Sequence, residues 1–335
     1  MTPTTPDVIT SMRCSLVGAT GPALERVHEL TTDELGARLR ELRIRSDHAD
    51  EITRHWEEFR DDPQWSDLLA STLATVASAR GDCDAPIPIW PDFAADDGLG
   101  RYFFFYLFAL DAPEARDHLE VAGFPHEVID RSFEVLARHC ATHLRKWGVV
   151  GVDAGWWMLP VLRGELVQVG SLQFHRVNLG VGSLSPSPWY SAEESAALGA
   201  GFCHGDPSIG LHIPQQTDLA PPVLDRSIAE ARELLGDVWP VAQRRLATCQ
   251  TWMLDDRLVE YLAPTSNIVA FQSRFALLPR WHEDDDDVLE FVFRRPNTDL
   301  EDRLLTTSLE RAVVRVLREG HHWRNRTGWF DFDGT

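Results

Sequence analysis

The sequence lacks the short motifs that identify several large enzyme classes on their own. It contains no GxSxG elbow, no P-loop and no Rossmann glycine pattern, which argues against serine hydrolases, P-loop nucleotide hydrolases and dinucleotide oxidoreductases. Its five cysteines are scattered and form no CxxC pair, so they predict neither a zinc knuckle nor a redox motif. We interpret them as reduced core thiols. They are Cys14, Cys83, Cys140, Cys203 and Cys249.

Positive charge is also scarce. The chain has 32 Lys plus Arg against 52 Asp plus Glu, a formal charge of -20, which repels phosphate backbones at long range. We therefore expect no DNA binding. A local basic patch near the C-terminus stays a candidate site for a phosphorylated ligand, because arginines are concentrated there. They are Arg294, Arg295, Arg311, Arg315, Arg318, Arg324 and Arg326.

The sequence also has no long apolar run, and its first residues lack the features of a signal peptide. The most hydrophobic stretch, Arg101 to Leu110, is far shorter than the roughly twenty residues that cross a bilayer. We predict a buried core element, with an acyl-chain slot along Phe103 to Phe108 as the alternative. The N-terminus MTPTTPDVITSM has neither a basic start nor an apolar run, so it is no signal peptide and we expect a cytoplasmic protein without membrane contact.

A chain of 335 residues exceeds what one hydrophobic core usually organises, which favours two domains. From Pro22 to Trp147 the apolar spacing is helical, and Thr31 with Glu34 forms a possible capping box. After Trp147 the glycine density rises and the period becomes strand-like. We predict an all-helical domain over residues 1–147 and a second domain over residues 148–335.

The second domain begins with predicted antiparallel strands in WWMLPVL, GELVQVGSLQFHRVNLGVG and SPSPWY. A helix follows at Val223 to Leu235, with Leu224, Ile228, Ala231 and Leu235 on one stripe that suits a sheet face. Another is predicted at Ser308 to Leu317. The aromatic tail HHWRNRTGWFDF is expected to dock back onto the body.

Between Ile209 and Phe293 the order is a strand, a long helix, a strand, a second helix and a final pair of strands. This order resembles the acyl-donor half of GNAT acyltransferases, and the whole chain resembles the two-part bacterial acyltransferase family with a helical N-terminal domain and a GNAT-like C-terminal domain. The segments that carry the resemblance are VGSLQF, GLHIP, VLDRSIAEARELL, TCQTWML and SNIVAFQSRFALL.

The resemblance implies an α+β fold in which a helical N-terminal domain precedes a mixed β-sheet flanked by helices. It also implies an enzyme that moves an acyl group from acyl-CoA, or another acyl thioester, to the amine of a small molecule. The amine attacks directly, without a covalent enzyme intermediate. In GNAT proteins two neighbouring parallel strands splay apart to admit the donor, and here these are Leu211 to Ile213 and Thr248 to Leu254.

Residues at the ends of these strands are the candidate site. His212 is the predicted base because histidine titrates near neutrality, with a structural histidine as the alternative. Gln173 is a predicted acceptor contact, although alternation also allows a solvated polar face. Ile213 and Gln215 follow the first strand as donor-binding candidates. Trp252 is a third candidate of this kind, unless it fills the core.

The chain departs from the GNAT pattern in two places. Asn267 and Ala270 match the Asn-x-x-Ala spacing that opens the last helix, but Arg274 stands where a tyrosine commonly acts as the acid. Asn267, Gln272 and Arg274 are therefore predicted to hold the donor or stabilise developing charge. The loop PQQTDLAPP has no glycine, whereas GNAT proteins cradle pyrophosphate with a glycine-rich loop and a helix N-terminus. We expect coenzyme A to be held differently, or to be replaced as the donor by an acyl carrier protein.

Two motifs suggest a metal but are weak. His139 and His143 share a helix face with Cys140 but have no HExxH glutamate. The run HEDDDD at His282 to Asp287 is predicted to be a solvated acidic turn between two strands. We expect no metal. Two other functions stay open: a non-catalytic binding or scaffold protein with a GNAT-like frame, and, less favoured, a transferase that uses aminoacyl-tRNA as its donor.

Overall fold

The computed structural model describes residues 4–93, 98–181, 188–215, 217–293 and 305–334. The chain divides into two compact units, one ending at Val167 and the other beginning at Gln168. The stretch WWMLPVL, predicted to be a strand, is helical, with a 3-10 turn at Gly155–Met158 followed by a short helix at Leu159–Leu162. That prediction is wrong because a short apolar run does not distinguish strand from helix, and Pro160 suits a first helical turn.

The first unit is helical in its described regular structure as far as Leu162, and the first strand of the sheet begins at Leu166. Its helices are α1 (Thr5–Arg13), α2 (Gly21–Glu29), α3 (Thr32–Glu41), α4 (Ser46–Arg54), α5 (Trp56–Asp61), α6 (Pro63–Ser78), α7 (Phe103–Val121), α8 (His126–Phe133), α9 (Val135–Trp147) and α10 (Leu159–Leu162). All residues from Phe103 to Leu110 in α7 are buried, which supports the core interpretation of this stretch. The predicted capping box is confirmed: Glu34 N–H donates to Thr31 Oγ1, and Thr31 N–H donates to a Glu34 carboxylate oxygen.

A buried ion pair fixes the loop after α6. The Arg163 guanidinium lies 2.7 Å from the Glu165 carboxylate, and both residues are only 2% exposed. The same guanidinium donates to the carbonyls of Asp82 and Ala85 at 2.7 and 2.8 Å. Since a buried charge is costly unless it is paired and hydrogen-bonded, these contacts hold the loop as a unit.

The second unit is built on a mixed sheet of six strands in the order β1-β2-β3-β4-β6-β5. Neighbours β2 and β3 are antiparallel, β3 and β4 are parallel, and β6 is antiparallel to both β4 and β5. The strands are β1 (Leu166–Val169), β2 (Leu172–Asn178), β3 (Pro207–His212), β4 (Leu246–Thr251), β5 (Ala276–Glu283) and β6 (Arg324–Asp331).

Helices flank this sheet. They are α11 (Ala192–Leu198), α12 (Pro221–Val238), α13 (Val241–Arg244), α14 (Leu258–Tyr261), α15 (Asn267–Gln272), α16 (Asp285–Phe293) and α17 (Ser308–Arg318). The predicted stripe of α12 is confirmed, since Leu224, Ile228, Ala231 and Leu235 are all buried. Ser227 ties this helix to β1 and β2 by donating to the Val169 carbonyl and accepting from Leu172 N–H.

Two predictions about the C-terminal third are wrong. The acidic run opens helix α16 rather than a turn between strands, because Asp284 caps it by accepting from Asp287 N–H at 3.0 Å. The partner of β5 is consequently not the next segment but the C-terminal strand β6, which inserts between β4 and β5. The predicted strand SPSPWY falls partly on residues 182–187, outside the described residues. Within the described residues, no helix has the length and apolar character needed to cross a membrane.

Candidate active site

Strands β3 and β4 separate within the sheet. Their parallel pairing covers only Ile209 with Ala247 and Gly210 with Thr248. Beyond these pairs, β3 continues along β2 through Leu211 and His212, whereas residues 249–251 of β4 continue along β6. The facing edges of the two strands are therefore left without a strand partner at their C-terminal ends, which is the opening that the family resemblance implies.

Two histidines meet at this opening. His212 ends β3, and His175 on β2 lies opposite Gly210, so the two are diagonal neighbours on one face of the sheet. Nδ1 of His175 lies 3.3 Å from Nε2 of His212, and the ring centroids are 5.4 Å apart. His175 is 3% exposed, whereas His212 is half-buried. The arrangement joins a buried imidazole to one at the mouth of the opening.

Gly210 leaves space for this pair. A Cβ at this position would lie 3.3 Å from Nε2 of His212 and 3.5 Å from Cβ of His175. The first distance is tighter than ordinary van der Waals contact with carbon, so a larger residue would displace the rings. The absence of a side chain here therefore contributes to the geometry of the site.

Burial, and then the neighbouring His175, lower the pKa of His212 to about 3. A histidine has an ordinary pKa of about 6.5, so His212 is neutral at neutral pH. A neutral imidazole can accept a proton, but the lowered pKa makes His212 a weaker base than an ordinary histidine. It also makes the protonated form of His212 a strong acid, which readily passes its proton on.

The same face carries two further polar side chains. Gln173 lies directly opposite His212 in the register and is 5% exposed, so it does not belong to a solvated face. Thr248, where β3 and β4 part, is half-buried and lies 3.4 Å from Ser208 through their hydroxyl oxygens. His175 and Thr248 were not singled out from the sequence, although the alternation that places Gln173 on one face places His175 on the same face.

The predicted donor-side residues are distributed differently. Ile213 and Gln215 directly follow β3 and are half-buried beside the opening. Trp252 packs in a core cluster with Leu258, Val313 and others, which favours the core interpretation over a wall of the donor slot.

Helix α15 begins at Asn267 as predicted, but the capping oxygen belongs to Ser266 and Asn267 itself is exposed. Gln272, at the end of the helix, donates its amide hydrogens to the Met253 and Asp255 carbonyls at 2.8 Å each. Gln272 thus connects α15 to the turn after β4.

The hydrogen bonds of Arg274 join it to the N-terminal part of α12 and not to the histidine pair. Its guanidinium pairs with Asp225 and donates to the Pro221 carbonyl. The hydrogen bond from Arg274 lowers the pKa of the Asp225 carboxyl. Arg274, Asp225, Ile228, Arg232 and Phe330 line a cleft of about 370 Å³ beside α12.

The two histidines that the sequence suggested as metal ligands make structural contacts instead. His139 and His143 direct Nδ1 to the carbonyls of Asp153 and Val149, at 2.5 and 3.0 Å, and burial lowers the pKa of both. Across the described residues, no group of three or more His, Cys, Asp or Glu side chains is arranged to hold a metal ion.

The C-terminal arginines are largely paired. Arg315 pairs with Glu319, and Arg326 with Asp256, at 2.8 Å each. The Arg324 guanidinium lies 4.2 Å from the Trp281 ring centroid. Arg294 and Arg295 lie outside the described residues. These pairings reduce the net positive charge that the patch can offer to a polyanion.

In the mixed sheet of the second unit, two parallel strands part beside a pair of histidines. This is the architecture of a GNAT-like acyltransferase, and comparisons with known proteins agree. The N-acyltransferase N-terminal domain matches residues 33–164, and the GNAT-like C-terminal domain matches residues 166–330. An acyltransferase crystallised with CoA and 10C-teicoplanin is 30% identical, with a TM-score of 0.75 over 88% of this chain and 86% of that chain. No curated protein sequence matches the chain significantly.

Two further crystal structures are similar over the same shares of each chain. An acyltransferase with decanoyl-CoA and teicoplanin is 31% identical with a TM-score of 0.74, and one with decanoyl-CoA alone is 28% identical with a TM-score of 0.74. The chain belongs to this family of acyltransferases, in which an N-acyltransferase N-terminal domain precedes a GNAT-like C-terminal domain. The predicted fold class and the predicted acyltransferase activity are thereby confirmed.

Proposed function

We propose that this acyltransferase transfers an acyl group from acyl-CoA to the amine of a small molecule. The observation that carries the proposal is the parting of β3 and β4 after Gly210 and Thr248, two residues before His212. Related acyltransferases of known structure contain CoA or decanoyl-CoA, and two contain 10C-teicoplanin or teicoplanin. An extended pantetheine arm has amide groups along its length, and the open strand edges offer backbone partners for them.

The donor thioester is then delivered next to the histidine pair. Ile213 and Gln215 border the path of the arm, since both directly follow β3. Gln173 faces the same side as His212 and offers an amide for contact with the acceptor or the acyl group. This arrangement brings the thioester and the amine together at the C-terminal ends of β3 and β4, which lowers the entropic cost of their encounter.

The reaction needs one proton to move from nitrogen to sulfur. The lone pair of the amine attacks the thioester carbon, the C–S bond breaks and its electron pair leaves on sulfur as a thiolate. The proton released by the nitrogen passes to His212 and from there to the thiolate, which yields an amide and a free thiol. The neutral form of His212 accepts the proton only transiently, and its protonated form, a strong acid because of the lowered pKa, returns it to the thiolate, so the same residue can cover the role of the tyrosine that is missing near Arg274.

His175 acts on His212 rather than on the substrate. In the tautomer in which Nε2–H of His212 donates to Nδ1 of His175, the Nδ1 of His212 carries the lone pair that accepts the proton. His175 therefore orients the ring and selects the tautomer. It is a positioning residue, held in place by its own burial.

The first experiment combines the purified protein with acyl-CoAs of increasing chain length and a panel of amines that includes teicoplanin. We expect a new amide, detected by mass spectrometry, and one equivalent of free CoA thiol, detected with a thiol reagent. A protein boiled before assay controls for spontaneous aminolysis. If no acyl-CoA is turned over with any amine, and none binds in calorimetry, the proposal is wrong and a binding protein with a GNAT-like frame is favoured.

A further inference from the structure

The face of the sheet that carries the histidine pair also carries Trp329, from the aromatic C-terminal tail. His175 lies opposite Gly210, and Gly210 lies opposite Thr248 on β4. Thr248 in turn lies opposite Trp329 on β6. Because residues directly opposite one another in a sheet project from the same face, these four residues form one row across the sheet. The row begins at the histidine pair and ends at an indole.

The middle of the row is low. Gly210 has no side chain and Thr248 has a short one, so no large side chain of the row stands between the imidazoles and the indole. Only β4 separates β3 from β6, and adjacent strands lie about 4.8 Å apart, so Gly210 and Trp329 are separated by roughly 10 Å. A ligand of that length can therefore contact both the histidine pair and the indole.

Trp329 is held in place from one side. The ring of Phe202 meets its ring edge to face, with centroids 5.1 Å apart. Phe202 is itself buried, and its carbonyl accepts a hydrogen bond from the indole N–H of Trp189 at 2.8 Å. Leu246 and Leu278 belong to the same apolar cluster. An aromatic ring fixed in this way can pack against a ligand at a small cost in side-chain entropy.

Two other tryptophans near the C-terminal strands show what is particular to Trp329. Trp323 is fully buried and completes a core cluster. Trp281 on β5 is 43% exposed, and the guanidinium of Arg324 lies 4.2 Å from its ring centroid. Trp329 is half-buried, and it is the one of the three that lies in the row with the histidines. Its position therefore suits contact with a substrate better than either of the others.

We infer that Trp329 is a specificity-determining residue for the acceptor, and that it packs against a flat apolar part of the amine while the amino nitrogen lies at His212. The inference rests on the proposed function, because it assumes that the amine is acylated beside the histidine pair. The row contains no carboxylate, lysine or arginine, so it offers contact with rings and not a counter-charge. The preferred acceptor carries an aromatic or other flat apolar group roughly two strand spacings, or about 10 Å, from its nitrogen.

Paired series of amines test this inference. One series consists of phenylalkylamines with spacers of increasing length, and the other of n-alkylamines with the same number of methylene groups but no ring. We expect kcat/KM of the unchanged protein to favour the phenyl series, by a ratio that rises with spacer length until the ring reaches the indole. A ratio near one at every length would overturn the inference.

Variants of Trp329 show whether the indole is the cause. Trp329→Ala should raise the KM of the long phenylalkylamines by about tenfold, the value of one well-packed aromatic contact. It should leave their kcat and the KM of acyl-CoA unchanged, since the lost contact is made equally in the ground state and the transition state. Trp329→Phe keeps an aromatic ring and should retain most of the preference.

Trp281→Ala is the matched control, because it removes another partly exposed tryptophan from the same sheet. It should change neither series. The n-alkylamines serve as an internal control for folding, since a variant whose sheet is disturbed would lose activity with both series alike. Equal losses with both series in Trp329→Ala and in Trp329→Phe would assign the indole a structural role and contradict the inference.

Calorimetry separates this inference from the proposed function. If acyl groups are transferred but Trp329→Ala keeps the full preference for the phenyl series, the inference is wrong and the function stands. If no transfer occurs but the phenylalkylamines bind, and bind about tenfold more weakly to Trp329→Ala, the inference stands and the function is wrong. If the unchanged protein neither binds nor acylates any phenylalkylamine, the inference is overturned.

Discussion

Two polar sites, one in each unit, are built from different groups. In the helical unit, the buried charge of Arg163 is matched by the opposite charge of Glu165 at 2.7 Å. At the opening of the sheet in the other unit, the buried imidazole of His175 meets the half-buried imidazole of His212, with ring nitrogens 3.3 Å apart. An ion pair is locked in its protonation state, because either partner would lose its counter-charge on titration. A neutral imidazole pair keeps the capacity to accept and release a proton.

This contrast assigns different consequences to substitutions in the two units. Removing one partner of an ion pair should act on stability, since an uncompensated charge remains buried. Removing an imidazole leaves no such charge and should act on the reaction. The following predictions test that distinction, from the largest expected effect to the smallest.

The largest effect is expected from His212→Ala. Loss of a general base usually lowers the rate by about 10²- to 10⁴-fold, and here the same group also returns the proton to the thiolate. We expect kcat with acyl-CoA to fall within this range while the thermal midpoint stays nearly unchanged. His282→Ala is the control, because His282 lies on β5 of the same sheet and should leave kcat as it is. Retention of full kcat in His212→Ala would remove this residue from the mechanism.

The next effect is expected from Glu165→Gln in the helical unit. The Arg163 charge would remain buried with only carbonyl partners, which costs about 3–5 kcal/mol of unfolding free energy. Urea denaturation followed by tryptophan fluorescence measures this. Arg131→Gln provides the comparison, because its exposed ion pair with Glu127 contributes at most about 0.5 kcal/mol. Equal losses in the two variants would contradict the assignment of Arg163 and Glu165 as a structural pair.

Much of the fold could be predicted because its signals are local. The capping box at Thr31, the apolar stripe of α12 and the start of α15 at Asn267 each depend on residues within a few turns of one another. The parting of β3 and β4 was predicted by family resemblance. Its residues in the sheet agree with that prediction, since pairing stops at Gly210 and Thr248.

The missed contacts in the sheet and at the site are non-local. Strand β6 pairs Asp331 with Leu246 and Trp329 with Ala276, contacts between residues far apart in sequence that no local period encodes. His175 becomes a site residue only through its diagonal relation to His212 across β2 and β3. Arg274 was a candidate from the sequence, but its contacts lie at α12 and not at the histidine pair. The sequence shows which side chains could take part in the reaction, but the pairing register of the strands decides which of them lie next to one another.

A smaller effect is expected from Gly210→Ala, which tests the spacing of the histidine pair. The added Cβ would lie 3.3 Å from Nε2 of His212 and push the ring by a few tenths of an ångström. Since catalysis is sensitive to small misplacements, we expect kcat to fall by about tenfold. Gly236→Ala in α12 is the matched control, because its Cβ would meet only Arg244 at 3.9 Å. If both variants keep full kcat, the close approach at Gly210 has no part in positioning the pair.

The last effect is absent at neutral pH, appears only on acidification and again separates the two kinds of burial. The pKa of His212 is about 3 in the folded protein and about 6.5 in an unfolded chain. Below pH 6.5 the unfolded state therefore binds a proton that the folded state does not, so this contribution to the unfolding free energy is complete above that pH and is lost as the pH falls toward 3. His212→Gln should show a shallower decline of unfolding free energy on acidification, whereas parallel declines would mean that His212 titrates alike in both states.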